Sequence, residues 1–229
     1  MYSVLICDDE PDIVSALKIY LTSPDMKIFT AGNGREALDI LEREEIHLIL
    51  MDIMMPVMDG ISAMVKIREK SNIPVILLTA KSEDSDKILG LNIGADDYVT
   101  KPFNPAEVIA RVRSCLRRYL QLGGNVRRDD ETLKNGGIEL DDREKRVMVD
   151  GEKVNLTPTE FDILRLFMKN PGKVFSPRDI YREVWHDSPL GSENTVAVHI
   201  RHLREKIEIN PAEPRYITVV WGQGYRLKP

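Results

Sequence analysis

Leu48-Ile49-Leu50-Met51-Asp52-Ile53-Met54-Met55-Pro56-Val57-Met58-Asp59-Gly60 decides the fold class of this 229-residue chain. Four apolar residues run without a polar break up to Asp52, the pattern of a strand covered on both faces of a sheet. An acid ends the strand, and a loop with Pro56 follows. A helical pattern over 60–70 comes next. Strand, acid-bearing loop and helix make one βα unit, and the same alternation continues on either side.

Ser3–Cys7, Lys27–Ala31, His47–Met51, Val75–Leu78 and Asp97–Thr100 read as five strands. Helical patterns lie between and after them, near 12–21, 34–43, 60–70, 85–93 and 105–119. The last opens with Asn104 as N-cap, Pro105 at the first helical position and Glu107 at the third. Five βα units predict a doubly wound α/β domain with a five-stranded parallel sheet over 1–121. The stretch 122–131 holds a glycine pair and no apolar period, and reads as a linker. From 132 to 229 the pattern changes to short strands, turns and three helices. Leu156-Thr157-Pro158-Thr159-Glu160 carries a capping box, and Ser176-Pro177-Arg178-Asp179 repeats its logic. A third helix, about 193–209, sets Val196, Ile200, Leu203 and Ile207 on one stripe. A hairpin turning at Gly222-Gln223-Gly224 ends the chain.

Composition limits the function classes. The net charge of −5 rules out a wholly basic coat for nucleic acid. Residues 1–121 hold 14 basic and 19 acidic residues and so carry that whole excess; 194–229 hold 6 basic against 3 acidic. The longest apolar run, Ile46 to Ile53, is broken by His47 and Asp52, well short of a membrane span. No basic region precedes the first acids, so no signal peptide is expected. Cys7 and Cys115 are too few for a disulfide framework or a zinc knuckle, and a reducing cytoplasm is the expected location.

In an open parallel sheet, ligands bind beyond the carboxyl ends of the strands. Asp8 and Asp9 end the first strand, Asp52 the third, Thr79 the fourth and Lys101 the fifth. Scattered in sequence, they are expected to meet on one rim. Three carboxylates crowd together only with a counter-charge. Mg²⁺ and Lys101 are the natural ones, and such a site suits phosphoryl transfer to a carboxylate nucleophile. Asp52, central and apart from the acid pair, is the best nucleophile. Asp and Thr also gather at strand ends as caps and turn residues, which accounts for any one of these positions more easily than for all five.

These residues sit in CDDE, LILMDIMMPVMDG, VILLTAK and GADDYVTKPF, which resemble the receiver domain of two-component response regulators. LTPTEFDIL, ENTVAVHIRHLREKI and GYR resemble the winged-helix output domain of the OmpR/PhoB family. GLNIGADDYVTKPF and ARVRSCLRRY are similar to VanR-type regulators in particular. The resemblance spans nearly the whole chain and implies a phosphorylation-controlled transcriptional regulator rather than an enzyme. It implies Asp52 as phosphoacceptor for a sensor histidine kinase, and Asp8, Asp9, Asp52 and the Met54 carbonyl as Mg²⁺ ligands. Thr79 and Tyr98 become a switch pair, and Lys101 the phosphoryl-binding group, aimed inward by a cis Lys101–Pro102 bond. A new dianion on Asp52 would draw in the Thr79 hydroxyl and free space for the Tyr98 ring. Lys87, Asp97, Glu107 and Arg111 match charge pairs across a two-fold receiver interface, implying a phosphorylation-dependent homodimer. Asn92 stands where a third such pair has an acid, opposite Arg113.

On a helical wheel the face opposite the apolar stripe presents Asn194, Val198, Arg201 and His202, with Thr195 and His199 on one flank. This face is expected in the major groove of promoter DNA. Arg201 suits guanine or phosphate, Val198 a thymine methyl; Thr195, His199 and Arg204 suit the backbone. The hairpin tip, Trp221 and Gln223, is counted with the DNA contacts. Two residues depart from the family pattern, His202 and Trp221, both where arginine is common. Trp221 equally suits a hydrophobic plug beneath the turn. The resemblance further implies tandem direct repeats as operator and contact of the Trp185–Glu193 loop with RNA polymerase. A dehalogenase-type phosphatase would place D-x-D on its first strand, which this chain does not. A DNA-binding protein gated by a small ligand would not need the acid, hydroxyl and lysine set.

Overall fold

The computed structural model describes residues 1–80, 94–121, 132–185 and 193–229. The chain divides into two compact units, Met1–Tyr119 and Leu120–Pro229. In unit 1, five strands alternate with helices: β1 (Tyr2–Cys7), α1 (Pro11–Leu21), β2 (Met26–Ala31), α2 (Gly34–Leu41), β3 (Leu48–Asp52), α3 (Gly60–Lys70), β4 (Val75–Ala80), β5 (Asp97–Lys101) and α4 (Pro105–Gln121). The expected helix near 85–93 lies outside the described residues, as does the expected linker. The strands form one sheet in the order β2-β1-β3-β4-β5, and every pairing is parallel. All five residues of β3 are buried, as are Val4 to Cys7 and Val75 to Leu78. Continuous apolar runs are what such a sheet requires, since helices cover both faces.

Helix starts follow local chemistry. Asn33 accepts hydrogen bonds from the Arg35 and Glu36 amides, Asp59 from the Ser62 amide and Asn104 from the Ala106 amide. One long-range latch was not legible in the sequence. Arg68 on α3 donates to the Gly94 and Ile73 carbonyls and to Asp96, which is fully buried and also accepts from the Val75 amide. A buried carboxylate persists only when so paired, and the latch ties α3 to the starts of β4 and β5.

Unit 2 opens with an antiparallel sheet of β6 (Thr132–Asn135), β7 (Ile138–Asp141), β8 (Arg146–Val149) and β9 (Glu152–Val154). Three helices follow: α5 (Pro158–Met168), α6 (Pro177–Trp185) and α7 (Glu193–Ile207). β10 (Val174–Phe175), β11 (Ile217–Val220) and β12 (Gly224–Leu227) form a second sheet in the order β10-β12-β11. The capping box expected at Thr157 is formed, and Ser176 and Asp179 exchange the equivalent bonds at α6. Val196, Ile200, Leu203 and Ile207 enter the core with Phe161, Phe167, Ile180 and Trp185. Glu208, just past α7, is buried and accepts from three consecutive amides, those of Arg215, Tyr216 and Ile217. The carboxylate therefore fixes where β11 begins.

Candidate functional site

The sheet topology brings Asp8, Asp52, Thr79 and Lys101 to the carboxyl ends of four adjacent strands. Parallel register sets Cys7 beside Met51, Asp52 beside Leu78 and Thr79 beside Thr100. Lys101 Nζ lies 2.8 Å from Asp8 Oδ2 and 2.8 Å from Asp52 Oδ1. Exposed Glu10, which sequence reasoning passed over, approaches the same ammonium at 3.4 Å. Asp8 and Asp52 are buried and Asp9 is exposed, and carboxylate oxygens of all three fall within 4.8 Å of one another. The Lys101–Pro102 peptide is cis.

Backbone contacts hold the acids in place. Asp52 Oδ2 accepts from the Met54 amide at 3.0 Å, and Asp8 Oδ1 from the Glu10 amide at 2.9 Å. Gly60 is forced by the loop: a Cβ there would lie 2.0 Å from the Asp52 carbonyl oxygen, so only hydrogen fits. Burial raises the Asp52 pKa above the usual carboxylate range, and the Asp8 charge adds to this while Lys101 opposes it. Burial also works against the Lys101 ammonium, but its bonds to Asp52 and Asp8 outweigh that and leave its pKa raised. Cys7 contacts Met55 Sδ at 3.4 Å, and burial beside Asp8 and Glu36 pushes its thiol up to about 12. It is inert as a nucleophile. Three hard oxygen donors of one sign beside a single ammonium fit a divalent cation such as Mg²⁺.

Thr79 is buried, and Tyr98 is half-buried on β5 beside Leu77. Lys87 lies outside the described residues. The other three residues assigned to the two-fold interface meet within one chain. Arg111 Nη1 donates to both Asp97 oxygens at 2.8 Å, and its Nε and Nη2 reach Glu107 Oε1 at 3.0 and 2.9 Å.

The helical wheel misplaced part of the reader face. Thr195, His199 and His202 are 2%, 1% and 7% exposed, so none presents an open contact in the free chain. The wheel gives a helix one buried side, whereas α7 packs against both α5 and α6. The His199 ring lies 5.5 Å from that of Trp185, and burial holds His202 below the ordinary imidazole pKa. Arg201 stays exposed, bonded to Glu205 at 2.8 Å, and Val198 is half-buried. Arg204 turns inward to the Ile217 carbonyl at 2.9 Å. The side chain of Asn194 lies outside the described ones. At the hairpin tip Gln223 is exposed and Trp221 is 92% exposed, which excludes the plug.

Family comparison fits both halves of this arrangement. Residues 4–113 match the response regulator receiver domain, and 151–227 match the C-terminal domain of transcriptional regulatory proteins. The chain belongs to the two-component response regulators that join a receiver to an OmpR/PhoB-type DNA-binding domain. It is 41% identical to the regulatory protein VanR of Enterococcus faecium over 226 residues, 98% of each chain. It is 40% identical to the transcriptional regulatory protein SrrA of Staphylococcus aureus, covering 98% of this chain and 95% of that one. The response regulator DrrB, an OmpR/PhoB homologue of Thermotoga maritima, aligns over all of both chains at 31% identity and a TM-score of 0.51. A receiver of this family implies a histidine kinase partner, and the C-terminal domain implies DNA. No helix among the described residues is long and apolar enough to cross a membrane.

Proposed function

We propose that Asp52 accepts a phosphoryl group from the phosphohistidine of a sensor kinase in the cytoplasm, and that this controls promoter binding by unit 2. The observation that carries the reading is Lys101 Nζ at 2.8 Å from both Asp8 and Asp52 on the strand-end rim. A carboxylate oxygen of Asp52 attacks phosphorus, the histidine N–P bond breaks and an acyl phosphate forms. Asp8, Asp9, Asp52 and the Met54 carbonyl would hold Mg²⁺, which when bound supplies positive charge against the phosphoryl oxygens. Lys101 then leaves its carboxylate partners for a phosphoryl oxygen. The Thr79 hydroxyl follows, and Tyr98 turns inward into the space it vacates. Labelling with acetyl phosphate and Mg²⁺ should be stoichiometric and lost in Asp52→Asn. Full labelling of that variant at another residue would refute the assignment.

The output follows from the same reading. Phosphorylated receivers pair through the surface of Lys87, Asp97, Glu107 and Arg111, so Arg111 exchanges its partners in its own chain for those of a second copy. Asp97 and Arg111 are 2% and 12% exposed, so breaking their pair within one chain opposes the exchange; the new charge pairs set register and apolar contacts supply the affinity. Sedimentation should show a salt-sensitive dimer only after phosphorylation. The two readers, joined through 122–131, bind direct repeats roughly 10–11 base pairs apart. Val198 and Arg201 read bases, and the 185–193 loop meets RNA polymerase. A footprint on inverted repeats would sink this arrangement.

A further inference from the structure

Glu10 is the acid at the strand-end rim to which the phosphoryl-transfer reading gives no task. It is the N-cap of α1, with φ −88° and ψ 106° and a proline following, yet its side chain caps nothing. Ser, Thr, Asp or Asn would serve at that position, and a glutamate serves it poorly. Its backbone is fixed all the same. The amide donates to Asp8 Oδ1 at 2.9 Å, and the carbonyl accepts from the Val14 amide at 3.1 Å. The carboxylate that the helix leaves unused lies with Oε1 3.4 Å from Lys101 Nζ.

Lys101 thus has three carboxylate neighbours among the described residues, and they are not equivalent. Asp8 and Asp52 are buried and lie at 2.8 Å, and the reaction claims both. Asp52 becomes the acyl phosphate, while Asp8 belongs with Asp9 and Asp52 to the acid cluster that suits a cation. Glu10, with its side chain 62% exposed, stands outside that cluster. When the two nearer acids change partners, Glu10 is the carboxylate left to hold the ammonium. A lysine is a strongly hydrated point charge on a flexible stem, so an ammonium with no hold swings into water.

We propose that Glu10 is a positioning residue for phosphoryl transfer: it keeps Lys101 at the rim while that lysine passes from Asp8 and Asp52 to a phosphoryl oxygen. The inference rests on the Asp52 reading above and adds to it what steers the lysine. Glu10 forms no bond to phosphorus and acts through Lys101 alone. The ammonium touches both Glu10 and Asp52, so its charge offsets the repulsion between the acid and the incoming phosphoryl group. A pair this exposed is worth at most about fivefold in an equilibrium, so Glu10 tunes the reaction and does not decide it.

The test uses the full chain with Mg²⁺ and acetyl phosphate. Glu10→Ala should raise the half-saturating acetyl phosphate concentration about two- to fivefold at an unchanged maximal rate, because the nucleophile is intact. Glu10→Asp should behave like Glu10→Ala. Aspartate keeps the charge but not the reach, and as a good N-cap it turns to the first amides of α1. That variant should be at least as stable as the wild type, so its loss is not one of folding. In a Lys101→Ala chain, adding Glu10→Ala should change nothing further, since the residue it acts through is gone. Calorimetry of Mg²⁺ binding without phosphodonor supplies a readout apart from labelling. The cation must displace Lys101 from Asp8, and loss of the alternative seat should weaken binding by a similar factor. Wild-type values in Glu10→Ala or Glu10→Asp overturn the inference and leave Asp52 as phosphoacceptor. An equal loss in the Lys101→Ala chain, which would make Glu10 act by its field alone, does the same. Absence of label on Asp52 in the wild type removes the phosphoryl-transfer reading and this inference together.

Discussion

Glu208→Ala removes the carboxylate that joins the reader helix to the hairpin. Its oxygens accept from the Arg215 amide at 2.6 Å, from Tyr216 at 2.9 and 3.1 Å, and from Ile217 at 2.9 Å. Arg215 is exposed and water can replace its bond, but Tyr216 and Ile217 are 4% and 0% exposed. Two buried amides are left without an acceptor, each costing about 1–3 kcal/mol. The variant should therefore lose about 2–6 kcal/mol, a large share of the stability of a domain this size. Both tryptophans lie in unit 2, so urea unfolding followed by their fluorescence reads this unit alone. The midpoint should fall with the slope unchanged, and acetyl-phosphate labelling of Asp52 should proceed as in the wild type. DNA affinity should drop even where the variant is still folded, because the hairpin no longer has a fixed start. A loss below ~1 kcal/mol would show that the carboxylate is not what holds β11.

Gly60→Ala must displace the Asp52 carbonyl, 2.0 Å from the new methyl, so labelling should slow at least tenfold while unit 2 unfolds normally; unchanged labelling would mean that the loop yields freely. Lys101→Ala should still label, because the nucleophile remains, but DNA affinity should no longer rise on phosphorylation; coupling that survives would remove Lys101 from the switch. Asp142 is buried with Lys145 and Arg165 as partners; burial would raise its pKa, but these two cations win and lower it. Its stabilisation is therefore complete above the unfolded carboxylate value of about 3.9 and is lost as pH falls through the lower folded value. Asp142→Asn should cost about 1–3 kcal/mol at neutral pH, a gap that closes in acid, and a gap constant from pH 7 to 2 would refute the ion pair.

Unit 1 was legible because its signals are local or periodic. Three unbroken apolar runs, at 4–7, 48–51 and 75–78, mark strands buried on both faces. The acids and hydroxyl that follow them must share a rim once the sheet is parallel. Helix starts at Asn104, Thr157 and Ser176 were equally readable, since a cap and its partner lie within three residues. Tertiary structure decided what no window of sequence contains. Arg68 and Asp96 are 28 residues apart and become partners only when α3 packs beside β4 and β5. Arg111 takes Asp97 and Glu107 of its own chain, which a list of interface charges could not foresee. Periodicity on α7 found the core stripe but assumed one covered side, so it left Thr195, His199 and His202 open. A helix wedged between two others buries more than one face, and only the packing shows which. Trp221 is the converse case: sequence left it between plug and tip, and the turn geometry put it in solvent.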